Sequence, residues 1–349
     1  MDQYLRHTGP MNLQLALIVF LSMAAIVVLA GTRLAAFGDQ IAEKTGLGGL
    51  FVGTLILAFA TSLPELVTDI TAAAAGAPDL AVGDLFGSSM ANMAILAIID
   101  LRYRGKVWPS VELGHARVAA VAIVLTALAA LGLNVPAGAS IGWVGITPIM
   151  IFVLYLAAVA WFRRSPALVR TAYQDDSPPL QQPTGWDVED SALPVRALMI
   201  RFGIAALFIL AAAPVMTLSA ERIAELTGIA QTSIGVFLLA VTTSLPELSA
   251  SLAAVKIGAY DLAAGNLFGS NAANMSILFF ADIAYTEGPI LNAVSSNQVA
   301  AALGAILLTA LAVAAIVGGT ETRIKRMEPD AIVLLLAYIG AVVAISVAG

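Results

Sequence analysis

The sequence of 349 residues contains no cysteine, only two histidines and few charged side chains. Without cysteine the chain can form neither a disulfide nor a thiolate metal site, and thiol catalysis is excluded. Lys, Arg, Asp and Glu together make up 11% of the residues, whereas a soluble domain has about 25%. The net charge of −6 and the lack of a basic tract indicate that nucleic acid is not a partner.

Hydrophobic residues, by contrast, make up 60% of the chain, and the mean hydropathy is +0.92. Runs of about 20 apolar residues indicate membrane-spanning helices, because a helix satisfies its own backbone hydrogen bonds in lipid. The sequence therefore predicts an all-α polytopic membrane protein with ten transmembrane helices. The first run is too long for the apolar region of a signal peptide, so we expect a retained helix. The ten runs lie at residues 12–31, 49–75, 79–101, 115–134, 140–162, 197–219, 231–257, 262–284, 297–318 and 331–348.

One substantial polar stretch divides these helices into two groups of five. It is too short and too polar to fold as a regulatory domain, so we expect a linker. The predicted organisation is a first five-helix repeat at 1–162, a linker at 163–196 and a second five-helix repeat at 197–349. His7 and His115 lie close to predicted membrane boundaries, which argues against a histidine metal site or proton relay.

Positive charge is distributed unevenly across the predicted membrane. If the N-terminus lies outside, all 17 Lys and Arg residues except Arg6 and Arg222 fall on inner loops, the linker or inner helix ends. Lys and Arg collect on the cytoplasmic side of membrane proteins. The pattern predicts both termini outside, a cytoplasmic linker and an even number of spans.

An internal repeat runs through the hydrophobic segments at a constant offset of 182 residues. The first copy, at 53–96, contains TSLPEL and then GDLFGSSMANMAIL; the second, at 235–278, contains TSLPEL and then GNLFGSNAANMSIL. Five predicted spans separate the copies, and an odd number of spans reverses the direction of the chain. The sequence therefore predicts two inverted five-helix repeats, an architecture of secondary transporters whose substrate binds near the midplane.

The shared TSLPEL motif places a proline and a carboxylate in the middle of a span. Pro64 and Pro246 have no N–H, so each leaves a backbone carbonyl in the preceding turn without its helical partner. Glu65 and Glu247 follow directly, and an ionisable group in the bilayer core usually marks an ion pathway. Four hydroxyls flank the carboxylates: those of Thr61, Ser62, Thr243 and Ser244.

The second half of each copy adds more oxygen ligands. Ser88 and Asn92 are four residues apart and share a helix face, as do Ser270 and Asn274. A site made only of oxygen atoms suits Ca²⁺ and Na⁺. Two carboxylates neutralise one divalent or two monovalent ions, so the two kinds of ion would compete for one site. Glycines four apart, interpreted as close-packing positions between helices, are Gly83, Gly87, Gly265 and Gly269.

These motifs resemble the sodium/calcium exchanger family of the calcium/cation antiporter superfamily, whose repeats contain (G/A)TS(L/V)PE and GN-x-x-GSN. Here they read ATSLPE with GDLFGSS, and TTSLPE with GNLFGSN. The plain ten-helix form is similar to the prokaryotic, YrbG-like members. The resemblance implies antiport in the cell (inner) membrane without a cofactor, with Ca²⁺ and Na⁺ bound as substrates and a single chain sufficient for transport. It also implies that the first and sixth helices slide across a rigid core.

The ligand set that the resemblance implies has two central carboxylates. Hydroxyls, amides and two backbone carbonyls would complete it. The implied residues are Glu65, Glu247, Thr61, Ser62, Thr243, Ser244, Ser88, Asn92, Ser270, Asn274, Ala58 and Ala240.

The chain departs from the family pattern at several positions. Asn274 stands where some prokaryotic members have Asp, and Ser89 replaces an Asn. Asp84 also replaces an Asn, and Asp69 lies one turn beyond Glu65. Asp69 and Asp84 could form an acidic outer vestibule, but we expect them to be hydrated or bonded to backbone near the outer interface.

Several other polar residues are expected at the membrane interfaces. The acids Asp100 and Asp282 lie at predicted helix ends, and Lys256 and Arg201 are expected to anchor the cytoplasmic side. The four tryptophans are expected in interfacial belts or in the linker; they are Trp108, Trp143, Trp161 and Trp186.

Three other functions compete with Na⁺/Ca²⁺ exchange. An H⁺/Ca²⁺ antiporter, or one for Mg²⁺ or Mn²⁺, would keep the fold; the GN-x-x-E motif of proton-coupled relatives is absent. A passive cation channel is disfavoured by the repeats and broken helices. An intramembrane hydrolase would need a Ser/His or His-rich arrangement that the sequence lacks, so we expect no enzymatic activity.

Overall fold

The computed structural model describes residues 12–46, 51–103, 111, 113–133, 139–164, 193–227, 240, 242–318 and 329–348. These residues are almost entirely helical. A π-helical segment, Val52–Leu57, precedes α2. The helices are α1 Leu13–Thr45, α2 Ala58–Thr61, α3 Leu63–Ala74, α4 Pro78–Arg102, α5 Gly114–Gly132, α6 Ile146–Arg164, α7 Val195–Thr227, α8 Leu245–Lys256, α9 Tyr260–Ala284, α10 Ile290–Ala293, α11 Asn297–Gly318 and α12 Pro329–Ala348.

A small hairpin is the only β-structure among the described residues. Strands β1 (Ser140–Ile141) and β2 (Val144–Gly145) pair antiparallel, with Ser140 opposite Gly145. The hairpin leaves the all-α fold class unchanged; its turn, before α6, closes at Gly142 with φ of 65°. The fifth predicted span, which we expected to begin at residue 140, therefore begins as a helix at Ile146.

Helices occur in all ten predicted segments, but fewer of them meet the length and hydropathy of a full span. Within the described residues, seven helices are long and apolar enough to cross a bilayer, and eight if the bent pair before and after Ser62 counts as one span. The apolar part of α6, Ile146–Phe162, is shorter. The first half of the seventh segment and most of the predicted linker lie outside the described residues.

The two longest helices, α1 and α7, pack against each other along their length. Asn12 caps the start of α1, where its side chain accepts a hydrogen bond from the Leu15 amide, and Gly46 with φ of 67° caps the end. The helix continues well beyond the predicted boundary at residue 31. Helix α7 contains Pro214 in its interior. Helix α1 also packs against α8.

The predicted break in the second span is present. The chain bends by 45° between Val52–Thr61 and Leu63–Ala74. Ser62 leaves helical geometry, with φ of −88° and ψ of 2°, and Pro64 then lies in the first turn of α3, where a missing N–H costs nothing. Ser244 has nearly the same geometry, φ −82° and ψ 7°, before Pro246 in α8.

Helices α4 and α9 form the centre of the molecule. In the apolar stretch of α4 94% of residues are buried, and in that of α9 78%, against 11% in α12. Large apolar side chains face outward on the peripheral helices; Leu21 and Leu336 are more than 60% exposed. Apolar outside and polar inside is the arrangement expected of a multi-pass membrane protein.

Glycines allow the central helices to approach closely, as the sequence predicted. A Cβ on Gly87 would lie 2.9 Å from the Ala240 Cβ. A Cβ on Gly269 would overlap the Thr54 carbonyl oxygen and lie 2.8 Å from the Ala58 Cβ. Side-chain contact at these points would force the motif helices apart.

Candidate functional site

The two TSLPEL motifs lie together against α4 and α9. Glu65 and Glu247 each stand in the first turn of the helix that follows a break, α3 and α8. Each side chain is 1% exposed. A negative charge is favoured at a helix N-terminus, which offsets part of the cost of burying these two carboxylates.

Hydroxyl groups from both repeats contact Glu247. Its Oε1 accepts hydrogen bonds from Ser62 Oγ and from Ser270 Oγ, each at 3.4 Å. Ser62 belongs to the first motif and Glu247 to the second, so the carboxylate of one copy is bound by the hydroxyl of the other. Both contacts are long, which leaves room for these oxygens to turn towards a cation.

The two motif threonines make matching contacts. Thr61 Oγ1 donates to Asn266 Oδ1 at 3.1 Å and lies 3.5 Å from Ser270 Oγ. Its counterpart Thr243 makes the same pair of contacts with residues 182 earlier: Thr243 Oγ1 donates to Asp84 Oδ1 at 3.1 Å and lies 3.1 Å from Ser88 Oγ. These reciprocal contacts relate the two motifs by a local two-fold arrangement.

The carbonyls of Ala58 and Ala240 point into the same network. The Ala58 carbonyl accepts from the Ser62 amide at 2.9 Å and lies 3.2 Å from Thr61 Oγ1, as an alternative to Asn266 Oδ1 for the single hydroxyl proton. Ala240 accepts from the Ser244 amide at 3.1 Å and from Thr243 Oγ1 at 2.9 Å. A carbonyl has two lone pairs, so rotation of each threonine hydroxyl would free one of them for an ion.

Asparagine amides connect α4 to α9. Asn92 Nδ2 donates to Asn271 Oδ1 at 2.9 Å, and Asn271 Nδ2 donates to the Ser89 carbonyl at 3.2 Å. This arrangement points Asn92 Oδ1 away from the bond, without a partner. Asn271 is not among the residues predicted for the site, although its place in the GSN triplet could have indicated it.

Several buried oxygens of the site have no hydrogen-bond partner. Buried polar atoms are nearly always satisfied, so a group of unsatisfied acceptors indicates a cation site. Within the described residues no three Asp, Glu or His side chains surround one point, so at most two carboxylates would bind a given ion. The unpartnered oxygens are Glu65 Oε2, Glu247 Oε2, Asn92 Oδ1, Asn274 Oδ1 and Ser244 Oγ.

Asp69 and Asp84 differ from the expectation that they are hydrated at the outer interface. Asp69 is 1% exposed and Asp84 is 5% exposed. Asp84 Oδ1 accepts a hydrogen bond from Thr243 Oγ1 instead of a backbone amide, and neither carboxylate oxygen of Asp69 has a hydrogen-bond partner. They lie inside the protein because α3 and α4 pack face to face on either side of the tight turn at Gly76.

Asp282 and Asp100, expected at the interface, are also fully buried. Asp282 accepts bonds from the Gly145 and Ile290 amides, both at 2.6 Å, and so ties α9 to β2 and α10. His115 is buried as well, and its Nε2 lies 3.0 Å from Asp261 Oδ1. Asp282 and His115 therefore join separate elements of the fold.

Trp143 and Trp161 are about half exposed, which agrees with belt positions; Trp108 and Trp186 lie outside the described residues. Arg201 and Lys256 are exposed, as expected for anchors.

Comparison with known proteins supports a single assignment. The family described as sodium/calcium exchanger protein matches residues 15–161 and 197–347. The chain is 30% identical to the CaxA protein of Alkalimonas amylolytica over 325 residues, 90% of this chain and 93% of CaxA. It is 30% identical to the inner membrane protein YrbG of Escherichia coli over 268 residues, 76% of this chain and 78% of YrbG.

The fold is similar to that of the sodium-calcium exchanger NCX_Mj, with a TM-score of 0.65 over 95% of this chain and 99% of that one, at 22% identity. The resemblance predicted from the two motifs is confirmed. The chain belongs to the sodium/calcium exchanger protein family.

Proposed function

We propose that the protein is a secondary antiporter that exchanges Na⁺ for Ca²⁺ by alternating access. The observation that carries the proposal is the buried pair Glu65 and Glu247, surrounded by hydroxyl, amide and carbonyl oxygens. Oxygen-only ligands are those that Ca²⁺ and Na⁺ prefer. Two carboxylates match the charge of one Ca²⁺ or two Na⁺, so either load neutralises the same site.

The proposed ligand set is the one implied by the family motifs. Glu65 and Glu247 are its central carboxylates, and no cofactor takes part. The unpartnered oxygens of Ser244, Asn92 and Asn274 support their role as ligands. The remaining proposed ligands are Thr61, Ser62, Thr243, Ser88, Ser270, Ala58 and Ala240.

The proposed architecture has ten spans in two inverted repeats, with both termini outside and residues 163–196 in the cytoplasm. The reciprocal contacts of Thr61 and Thr243 support the repeat relation. The family match is split into two stretches on either side of residues 162–196, which supports a linker there. A single chain would suffice for transport, since both carboxylates belong to it.

Alternating access needs a part that moves. Helices α1 and α7 pack against each other at the side of the site, and a cleft of about 130 Å³ lies between α1 and α8, lined by Val28, Thr32 and Leu248. We propose that α1 and α7 slide together over the packed α4 and α9. The cleft supports this motion, because α1 is not fully interdigitated with α8 there.

The test is transport by the purified protein in liposomes. Vesicles loaded with Na⁺ are diluted into Na⁺-free buffer, and ⁴⁵Ca²⁺ uptake is compared with and without the Na⁺ gradient. Parallel vesicles carry a proton gradient instead. Uptake driven by the Na⁺ gradient is expected; uptake driven only by the proton gradient would contradict Na⁺ coupling and favour H⁺/Ca²⁺ exchange.

The site is tested in the same assay with Glu65→Gln and Glu247→Gln. Loss of one partner from a buried charged site costs about 3 kcal/mol, roughly a hundredfold in affinity, so each variant should abolish exchange. Glu287→Gln, on an exposed carboxylate, is the matched control. Full exchange by either site variant would refute the assigned carboxylates.

A further inference from the structure

The acids Asp69 and Asp84 form a second buried pair beside the central site. Asp69 lies on α3 and Asp84 on α4, which pack against each other on either side of the turn at Gly76, and both side chains are buried. The equivalent positions of the second repeat, 182 residues later, hold Ser251 and Asn266. The chain therefore contains an acidic version and a neutral version of one arrangement.

The neutral version is satisfied without any ligand. Asn266 Nδ2 donates to Ser251 Oγ at 3.0 Å, and Ser251 Oγ lies 3.5 Å from the Ala263 carbonyl, to which it donates. Asn266 Oδ1 accepts from Thr61 Oγ1. The side-chain amide and the two hydroxyls thus use each other as partners.

The acidic version is not satisfied. Asp84 Oδ1 accepts from Thr243 Oγ1, just as Asn266 Oδ1 accepts from Thr61. The other three carboxylate oxygens, both of Asp69 and Oδ2 of Asp84, have no partner although both residues are at least nine-tenths buried. The amide that donates in the second repeat is replaced by an acceptor, so acceptor faces acceptor.

A cation must lie between the two acids when both are ionised, because an isolated buried carboxylate is strongly disfavoured. Among the described residues no Lys, Arg or His forms an ion pair with Asp69 or Asp84, so no basic side chain compensates their charges. A single shared proton would bridge one pair of oxygens and leave the third without a partner. A divalent metal cation, by contrast, carries two positive charges and binds carboxylate oxygens.

We infer that Asp69 and Asp84, with the hydroxyl of Thr243, form a second binding site for a divalent cation beside the Glu65–Glu247 site. Two carboxylates match two positive charges, and water would supply the remaining ligands of a hard ion. Thr243 Oγ1 also lies 3.1 Å from Ser88 Oγ, so one hydroxyl borders both sites. Ca²⁺ as the probe rests on the proposed function.

The test counts bound ions by equilibrium dialysis of ⁴⁵Ca²⁺ against the detergent-purified chain. Wild type should bind about two Ca²⁺ per chain, one for each carboxylate pair. Asp69→Ser combined with Asp84→Asn reproduces the satisfied pair of the second repeat and should bind about one. Glu65→Gln combined with Glu247→Gln should also retain about one, at the Asp pair.

An equal count in wild type and in the Asp69→Ser/Asp84→Asn variant would overturn the second site while leaving the proposed function intact. Loss of all Ca²⁺ in the Glu65→Gln/Glu247→Gln variant would overturn it in the same way. No Ca²⁺ binding by wild type would overturn both. If the Asp69→Ser/Asp84→Asn variant elutes as an aggregate, the measurement is repeated with Asp69→Asn combined with Asp84→Asn, which keeps the side-chain shapes.

Discussion

Ser62 and Ser244 occupy equivalent positions in the two motifs but make different contacts. Ser62 Oγ donates to Glu247 Oε1, whereas Ser244 Oγ is fully buried without a partner. Glu247 therefore has a hydroxyl donor from the opposite repeat in the ion-free protein. The two serines, although identical in the motif, therefore have different roles: Ser62 bonds a carboxylate of the site, whereas the Ser244 hydroxyl is available to a ligand.

This difference predicts different effects of removing each hydroxyl. Ser62→Ala should destabilise the ion-free protein by about 1 kcal/mol, the value of one long bond to a carboxylate, and Ser244→Ala should leave its stability near that of wild type. Both should weaken Ca²⁺ binding. Thermal unfolding in EDTA measures the first effect and ⁴⁵Ca²⁺ dialysis the second; equal destabilisation by both variants would contradict the assigned contacts.

At the scale of helices, close approach depends on glycines that differ in what faces them. A Cβ on Gly269 would meet the backbone of Thr54, whereas one on Gly87 would meet only the Cβ of Ala240, and one on Gly203 would meet nothing within 4 Å. Backbone cannot rotate away from a clash as a side chain can.

We therefore expect Gly269→Ala to be the most damaging of three alanine substitutions. Overpacking costs about 1–3 kcal/mol, so Gly269→Ala should lower the unfolding temperature and the yield of monodisperse protein. Gly87→Ala should have a smaller effect, and Gly203→Ala, on the exposed side of α7, should have none. The reverse order would show that α9 does not pack on the π-helical segment as described.

We expect Asp282 to stabilise the packing of three elements, since its carboxylate on α9 accepts two backbone amides, of β2 and α10, at 2.6 Å. Asp282→Ala would leave both amides buried and unpaired, at a cost of about 2–4 kcal/mol. The matched control is Asp79→Ala, because exposed Asp79 accepts the Ser295 amide at 2.8 Å and water can replace it. Equal unfolding temperatures for the two variants would rule out the structural role of Asp282.

Much of the helical architecture was predictable from the sequence, because it depends on residues that are neighbours along the chain. The lengths of the apolar runs predicted the helices, Pro64 predicted the break at Ser62, and the glycines spaced four apart predicted close contacts between helices. The burial of Asp69, Asp84, Asp100 and Asp282 was not predictable, because a position near a helix end does not reveal which neighbouring element covers it. The bond between Asn92 and Asn271 likewise depends on how α4 faces α9.

At the scale of the whole molecule, the interior concentrates negative charge. Glu65, Glu247, Asp69 and Asp84 are all at least nine-tenths buried in one region of a chain whose exterior is apolar. Repulsion and desolvation both oppose four ionised carboxylates in one buried region, so the proposed binding of cations there would stabilise the protein. The carboxylates that the proposed transport needs therefore lower the stability of the protein when no cation is bound.

We therefore expect a variant without the central carboxylates to be inactive in transport but more stable than wild type. In EDTA, Glu65→Gln combined with Glu247→Gln should unfold at a higher temperature than wild type, and Glu287→Gln should unfold like wild type. Ca²⁺ at a hundred times its dissociation constant adds about 2.7 kcal/mol per site, so wild type should gain more from Ca²⁺ than the variant does. A lower unfolding temperature for the variant in EDTA would contradict the charge argument.

The reciprocal contacts of the motif threonines have an evolutionary consequence. Thr61 is held by Ser270 and Asn266, and Thr243 by Ser88 and Asp84, so each half of the chain carries only one side of every such bond. An ancestor of half this length would have needed a second copy of itself to close its site. Within one chain the two copies can differ, and they do so at positions 69 and 84: both repeats keep the bond to threonine, while the first has Asp84 and the second has Asn266.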